Sequence, residues 1–295
     1  MRREGDVVRA GNDRRLMVDV VGSLHNPAVF FLHGTPGSRR LSELFVAAGE
    51  ERDICHICYS RPGYEGSDRY PGRLTVDCAA DVAAIADALD IETFYVLGES
   101  AGGPHALAVA ALLGDRVRAV ALMCAPAPYS IPEFDWRKGM APECIEEDTL
   151  ALGGEGTLRP YLEGQFDQLR AVENSSQLLE FLGGIASPVD RDTYENELED
   201  HGLSVWQEVA RTGFWGWLDD DLALVRDWGF SLDRVEARVT IWHGRDDRTV
   251  PPSHSQWLAS HLPDARLTLL PNVGHNSIVN HYGATLDELI ELGRK

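Results

Sequence analysis

The 295-residue chain is poor in positive charge, in cysteine and in long apolar runs. Only 27 Lys and Arg stand against 47 Asp and Glu, a formal net charge of −20. So acidic a chain repels phosphate backbones and anionic headgroups, which argues against nucleic acid and membrane surfaces as partners. No window approaches the roughly 18 apolar residues of a membrane span. Met1 to Gly11 lack the apolar stretch of a secretory signal, and the expectation is a soluble, cytoplasmic protein. The five cysteines, Cys55, Cys58, Cys78, Cys124 and Cys144, are odd in number and scattered, as suits a reducing compartment. Cys55 and Cys58 have CxxC spacing, but Ile54 to Tyr59 reads as a buried strand, where residues three apart point to opposite faces and cannot chelate one ion. No GxxxxGKS or GxxxxGKT phosphate loop and no HExxH zinc motif is found, so neither a cofactor nor a metal is expected.

What is present is ordinary globular composition, 44% hydrophobic and 25% charged. A chain of this length buries roughly three quarters of its unfolded surface, enough for one large core with a smaller appended unit. Two alternating segments, Asp6 to Ala10 and Arg14 to Val21, joined through Gly11-Asn12-Asp13, predict an antiparallel pair. Short apolar runs follow at Ala28 to Leu32, Ile54 to Tyr59, Thr93 to Leu97, Val117 to Cys124, Arg238 to Trp242 and Arg266 to Leu270, and read as buried parallel strands. Thr75 to Asp90 predicts a crossover helix with Val76, Ala79, Ala80, Ala83, Ala86 and Leu89 on the apolar stripe and Asp77, Asp81 and Asp87 off it. The fold class expected is α/β, a doubly wound, mostly parallel sheet whose ligands sit beyond the carboxyl ends of the strands.

The alternation stops after the sixth strand and resumes near Val239. Residues 1–128 and 236–295 are therefore expected to form the sheet domain, with 129–235 inserted as a mainly helical cap. Ser187-Pro188-Val189-Asp190 resembles a helix start, with a capping serine, proline at the first helical position and an acid at the third. The insert carries eight basic and 23 acidic side chains, most of the net charge, and five of the seven tryptophans, Trp136, Trp206, Trp215, Trp217 and Trp228. Two readings stand side by side: a solvated helical layer whose tryptophans pack on the sheet, or a substrate-selecting lid.

Gly98-Glu99-Ser100-Ala101-Gly102 lies between the strand ending at Leu97 and the helical run Pro104 to Leu113, the context of a nucleophile elbow. A tight strand-to-helix turn needs residues without bulk on both sides, and it lifts Ser100 to a helix amino terminus. Serine needs a base within reach and an acid to hold that base. His275, in Pro271-Asn272-Val273-Gly274-His275, follows the last strand, and Asp246-Asp247 follows the strand before it. Adjacent carboxylates point in different directions, so the residues alone leave the choice between Asp246 and Asp247 open. His33 and His105 are read as structural. The loop His33-Gly34-Thr35-Pro36-Gly37 follows the strand Ala28 to Leu32, and the Thr35 and Ala101 amides are the candidate oxyanion donors.

These motifs, with Arg61-Pro62-Gly63-Tyr64, Gly66-Ser67, His243-Gly244-Arg245-Asp246-Asp247, Val250-Pro251 and Gly274-His275, come in the order seen in cap-bearing serine hydrolases of the α/β-hydrolase superfamily, which the chain resembles over nearly the whole sheet domain. In relatives with the same G-R-D-D run the second carboxylate is the triad acid. The resemblance therefore implies Asp247, 28 residues before His275. It departs at Ser60, where relatives usually carry aspartate before Arg-Pro-Gly, which puts local loop bonding in question.

A serine at position 100 excludes the alkyl-enzyme chemistry of the superfamily's dehalogenases and epoxide hydrolases, which needs a carboxylate nucleophile. The expectation is cleavage of a neutral, partly apolar ester, a small-molecule substrate, through an acyl-enzyme on Ser100. Two alternatives are carried. One is an aminopeptidase, because HGTPG is similar to the HGGPG of proline iminopeptidases and cap carboxylates could hold a free amino terminus, although those enzymes usually place tryptophan where Ala101 stands. The other is a ligand receptor or lyase on the same fold. The sequence assigns no oligomeric state.

Overall fold

A strand covered on both faces has no polar side, so it reads as an unbroken apolar run. Every residue of Ala28–Leu32 and of Cys55–Tyr59 is buried accordingly. The computed structural model describes residues 2–129, 131–196 and 199–294. Its strands are β1 (Arg2–Ala10), β2 (Arg14–Val21), β3 (Ala28–Leu32), β4 (Cys55–Tyr59), β5 (Phe94–Glu99), β6 (Val117–Met123), β7 (Val239–Gly244) and β8 (Ala265–Leu270). They form one eight-stranded sheet in the order β1-β2-β4-β3-β5-β6-β7-β8. The β1–β2 and β2–β4 pairings are antiparallel and the rest parallel, so the sheet is mostly parallel, as expected. Asn12 and Asp13, both left-handed at φ 58°, turn the first hairpin; Asn and Asp tolerate that region better than most residues.

Helices α1 (Glu43–Glu50), α2 (Cys78–Ala88) and α3 (Gly102–Leu112) connect the strands as far as β6. Six more, α4 (Pro142–Leu152), α5 (Glu155–Arg170), α6 (Ser175–Leu182), α7 (Pro188–Asn196), α8 (Glu199–Thr212) and α9 (Trp215–Leu224), fill the segment between β6 and β7, which holds no strand among its described residues. Helices α10 (Ser253–His261) and α11 (Tyr282–Gly293) complete the chain. Val82, Leu107 and Leu258 from α2, α3 and α10 share one core with Phe30, Ile57 and Val96. Phe45 and Leu286 from α1 and α11 share the other with Phe31, Cys58 and Leu97. Consecutive strand residues thus feed opposite cores, the doubly wound arrangement. Cys55 and Cys58 fall into different cores, one on each face of the sheet.

The buried arc of α2 is rotated from the expected stripe. Cys78, Val82 and Ile85 lead it, Ala80 is exposed, and Asp81 is buried with the Arg14 guanidinium donating to it at 2.6 Å. Alanines around most of the helix leave its apolar side ambiguous, and the cation that draws Asp81 inward comes from β2, far away in sequence. In the inserted segment, Leu158, Leu162, Trp217 and Leu218 make a small core of their own, while Leu178, Leu182 and Tyr194 join the sheet core beside Val273 and Val279. Its ends pack into the sheet unit: Ile131 and Phe134 on one side, Trp228 and Val235 on the other.

Candidate active site

The loops after β3, β5, β7 and β8 open at the same edge of the sheet. At the end of β5, Ser100 adopts φ 51°, a left-handed conformation that costs a non-glycine residue of order 1–3 kcal/mol. The turn is that tight because its flanks carry no side chains: a Cβ on Gly98 would lie 2.4 Å from the Gly102 carbonyl oxygen, and one on Gly102 2.0 Å from that of Leu32. Strand β5 runs on through Gly98 and Glu99, two residues beyond the expected end, so the elbow begins directly on the strand.

The structure brings His275, Asp247 and Ser100 together. His275 Nδ1 lies 2.7 Å from Asp247 Oδ2, and Nε2 lies 3.1 Å from Ser100 Oγ. Nδ1 faces a carboxylate, so it carries the proton and donates, which leaves Nε2 free to accept from the serine hydroxyl. Burial alone would depress the His275 pKa, but the charge and hydrogen bond of Asp247, with smaller contributions from Asp190 and Glu99, raise it above the ordinary 6.5. Burial works against ionisation of Asp247, yet His275 and His243 hold its carboxyl below the usual range. The Thr249 and Val250 amides donate to Asp247 Oδ1 at 2.9 and 2.8 Å. Asp246 is exposed and does not approach the imidazole, so geometry selects the second carboxylate.

Cys124 and His243 crowd Asp247 closely enough that the three could bracket an ion. Both His243 nitrogens are occupied, however: Nδ1 meets the Ser255 hydroxyl at 2.5 Å and Nε2 the Val250 carbonyl at 2.7 Å. That arrangement suits a second-rank hold on the acid better than metal ligation.

The His33–Gly37 loop lies over the nucleophile, and a Cβ on Gly34 would sit 3.8 Å from Ser100 Oγ. Thr35, Pro36, Gly37 and Ala101 border the same cavity as Ser100. The loop is held from inside the protein by Arg61, 1% exposed, which donates to the Gly34 carbonyl at 2.8 Å and to Thr35 Oγ1 at 3.0 Å. Asp220 on α9 completes this cluster, accepting from Thr35 Oγ1 at 2.6 Å, Tyr64 at 2.8 Å, and Arg61 and Arg73 at 2.6 Å each. His33 and His105 are structural, as expected. Both are buried; His33 Nδ1 meets the Gly34 carbonyl and His105 Nδ1 that of Ala101, each at 2.8 Å. Burial and the Arg61 charge keep His33 well below 6.5 and His105 at about 3, so both are neutral.

At the Ser60 departure a carboxylate is supplied from elsewhere. Ser60 Oγ donates to Glu65 at 2.6 Å, and Glu65 with Asp19 neutralises the buried Arg39. The loop keeps its anion through a residue five positions on.

Between the sheet edge and the inserted helices lies a cavity of about 360 Å³ reaching Ser100 and His275. Trp136, Tyr161, Phe181, Trp206 and Trp217 line it, so three of the five insert tryptophans face the cavity. The other two pack, Trp228 in the sheet core and Trp215 under the Arg69 guanidinium at 4.2 Å. Glu143, Glu147, Asp148 and Asp221 line the cavity too, and Arg40, exposed at the rim, is the one Lys or Arg among its described lining residues. Burial and the Glu147 charge push Asp221 well above the carboxylate range, burial raises Glu147 as well, and Glu147 accepts from Trp217 Nε1 at 2.6 Å. Burial and the same neighbour push Asp148 up to about 7.

Asp190, Asp220 and these cavity acids went unassigned in the sequence. Only the Ser187-x-x-Asp190 capping pattern marked any of them, and that pattern speaks of a helix end rather than of a site. No described helix is long and apolar enough to cross a membrane.

Comparison with known proteins agrees with this architecture. Residues 27–143 match a family model described as alpha/beta hydrolase fold. The chain is 29% identical over 206 residues to a pimeloyl-(acyl-carrier protein) methyl ester esterase of Nitrosomonas europaea, covering 68% of this chain and 72% of that one. It is also 29% identical over 282 residues to a 2-hydroxy-6-oxo-6-phenylhexa-2,4-dienoate hydrolase of Burkholderia cepacia, covering 89% and 87%. A hydrolase crystal structure from Pseudomonas aeruginosa superposes with a TM-score of 0.71 at 18% identity, covering 97% of each chain.

Proposed function

We propose that this chain, which has the α/β-hydrolase fold, is a serine hydrolase cleaving a neutral, partly apolar carboxylic ester through an acyl-enzyme on Ser100. The observation that carries the reading is the unbroken chain of two short contacts, 3.1 Å from Ser100 to His275 and 2.7 Å from His275 to Asp247. Ser100 Oγ attacks the ester carbonyl as its proton passes to His275 Nε2. The imidazolium is stabilised by Asp247, and the oxyanion is held by the Thr35 and Ala101 amides, each worth about two to three decades of rate. Collapse of the tetrahedral intermediate breaks the bond to the leaving oxygen, which takes the proton from His275 and departs as an alcohol. Water, deprotonated by the same imidazole, then attacks the acyl-serine and releases the acid.

The cavity supports the substrate class. Its aromatic walls favour apolar acyl or alcohol groups, and its carboxyl groups oppose a substrate carboxylate. The reading is tested with a fluorophosphonate and an ester panel. Expected are labelling of Ser100, abolished in Ser100→Ala with a loss of about four decades or more in kcat, and faster hydrolysis of neutral than of carboxylate-bearing esters at low salt. Preference for the anionic series would overturn the substrate class, and an unlabelled wild type the nucleophile.

The same carboxyls favour a second reading, an aminopeptidase. An ammonium group entering beside Glu147 and Asp221 would be met by opposite charge once their shared proton leaves. Turnover of proline naphthylamide exceeding that of neutral esters would decide for it.

A further inference from the structure

One buried carboxylate from the inserted helices grips the backbone of the histidine loop. Asp190, in the first turn of α7, is 0% exposed. Its Oδ1 accepts from the Asn276 and Ser277 amides at 2.8 Å each and from the Ser277 hydroxyl at 3.1 Å. Its Oδ2 accepts from the His275 amide at 3.1 Å, and from the Ser187 hydroxyl and amide at 2.8 and 3.2 Å. Three consecutive amides thus converge on one side chain 85 to 87 residues away in sequence. Those amides precede and open the single-turn helix Ser277–His281, so the carboxylate caps it from another segment. Tyr194, on the same helix α7, adds a hydrogen bond to Asn276 Oδ1 at 3.2 Å.

The approach is close enough to dictate sequence. A Cβ on Gly274 would lie 2.3 Å from Asp190 Oδ2 and 2.4 Å from Ser187 Oγ, so the residue before the histidine must be glycine for the grip to form.

We propose that Asp190 is a positioning residue for His275, through which the insert sets where the general base stands. The proposal rests on the triad reading above. It makes the helices that wall the cavity and the base that works at its floor one mechanical unit, and displacing α7 would carry the imidazole with it. The charged groups facing the imidazole are Asp247 from the β7 loop, Asp190 from α7 and Glu99 from β5, so Asp190 also favours the imidazolium.

The test compares wild type with Asp190→Asn, Asp190→Glu and, as a charge control on the exposed side of the same helix, Asp192→Asn. The asparagine variant keeps the shape but turns an NH2 group toward donors. Expected is a drop of about a hundredfold in kcat, the cost of a misplacement near 1 Å, with KM within a few fold. The acid limb of kcat/KM should move to lower pH, because one of the anions facing His275 is gone, and a merely structural role would leave that limb in place. Asp190→Glu keeps the charge and shifts it by a methylene, so it should lower kcat with the limb unmoved; it carries the test alone if Asp190→Asn does not fold. Asp192→Asn should match wild type. Wild-type kcat in either Asp190 variant, with Ser100 still labelled, overturns the proposal and spares the triad. Absence of Ser100 labelling in the wild type overturns the triad instead.

Discussion

Asp220 and Asp221 sit side by side on α9, and a turn of about 100° per residue points them into different regions of the molecule. Asp220 faces the sheet domain, where Arg61 and Arg73 each reach it at 2.6 Å and hold its carboxyl well below the ordinary carboxylate range despite complete burial. Asp221 faces the cavity, where burial and the charge of Glu147 hold it well above the range. One residue type at neighbouring positions, fully buried at 220 and half-buried at the cavity wall at 221, is pushed below the carboxylate range on one side and above it on the other. Burial penalises charge in both places, and the presence or absence of a facing guanidinium decides which way the proton goes.

The contrast breaks most directly at Asp220. Asp220→Ala strands two buried guanidinium groups and frees Thr35 Oγ1, and should destabilise the protein by about 3–5 kcal/mol in urea unfolding. A loss under about 1 kcal/mol would mean the arginines find water or other partners.

The pH dependence of stability sharpens it. Asp220 has a depressed folded-state pKa, so its stabilisation is present above about 3.8 and is lost as the pH falls through the folded value. Asp148, raised to about 7, has the opposite sign: its contribution is complete below 3.8 and is lost as the pH rises toward 7. Stability should therefore pass through a maximum in weak acid, and Asp148→Asn should flatten its decline toward neutrality. A wild-type urea midpoint that climbs steadily from pH 5 to pH 8 would contradict this.

The smallest effect belongs to Asp221→Asn. Burial and Glu147 already push Asp221 toward its neutral form, and the amide is a neutral group of the same shape, so stability at pH 7 should change by less than about 1 kcal/mol. A loss matching that of Asp220→Ala would erase the distinction between the two faces.

Much of the fold was legible along the chain because its causes are local. Parallel strands buried on both faces show as apolar runs, and the elbow shows as small residues bracketing Ser100 between a strand and a helix. The order of Ser100, the Asp246-Asp247 pair and His275 was readable for the same reason, since each follows its own strand end, while the residues alone left the choice within the pair open. Helix α2 was misjudged where a distant cation intervened: Arg14 draws Asp81 into the interior, and alanine on nearly every side of the helix offers no counter-signal.

The sequence by itself determined the strands, the sharp turn at Ser100, the presence of a helical insert and its negative charge, because these follow from the spacing of small, apolar and charged residues within one segment. Only the tertiary structure decided that Asp247 rather than Asp246 meets the imidazole, that Asp190 grips the loop of His275, and that the Asp220 carboxyl is held below the carboxylate range while that of Asp221 is held above it. Each of those outcomes depends on which donors a carboxylate meets once water has left, and those donors come from segments tens to hundreds of residues away.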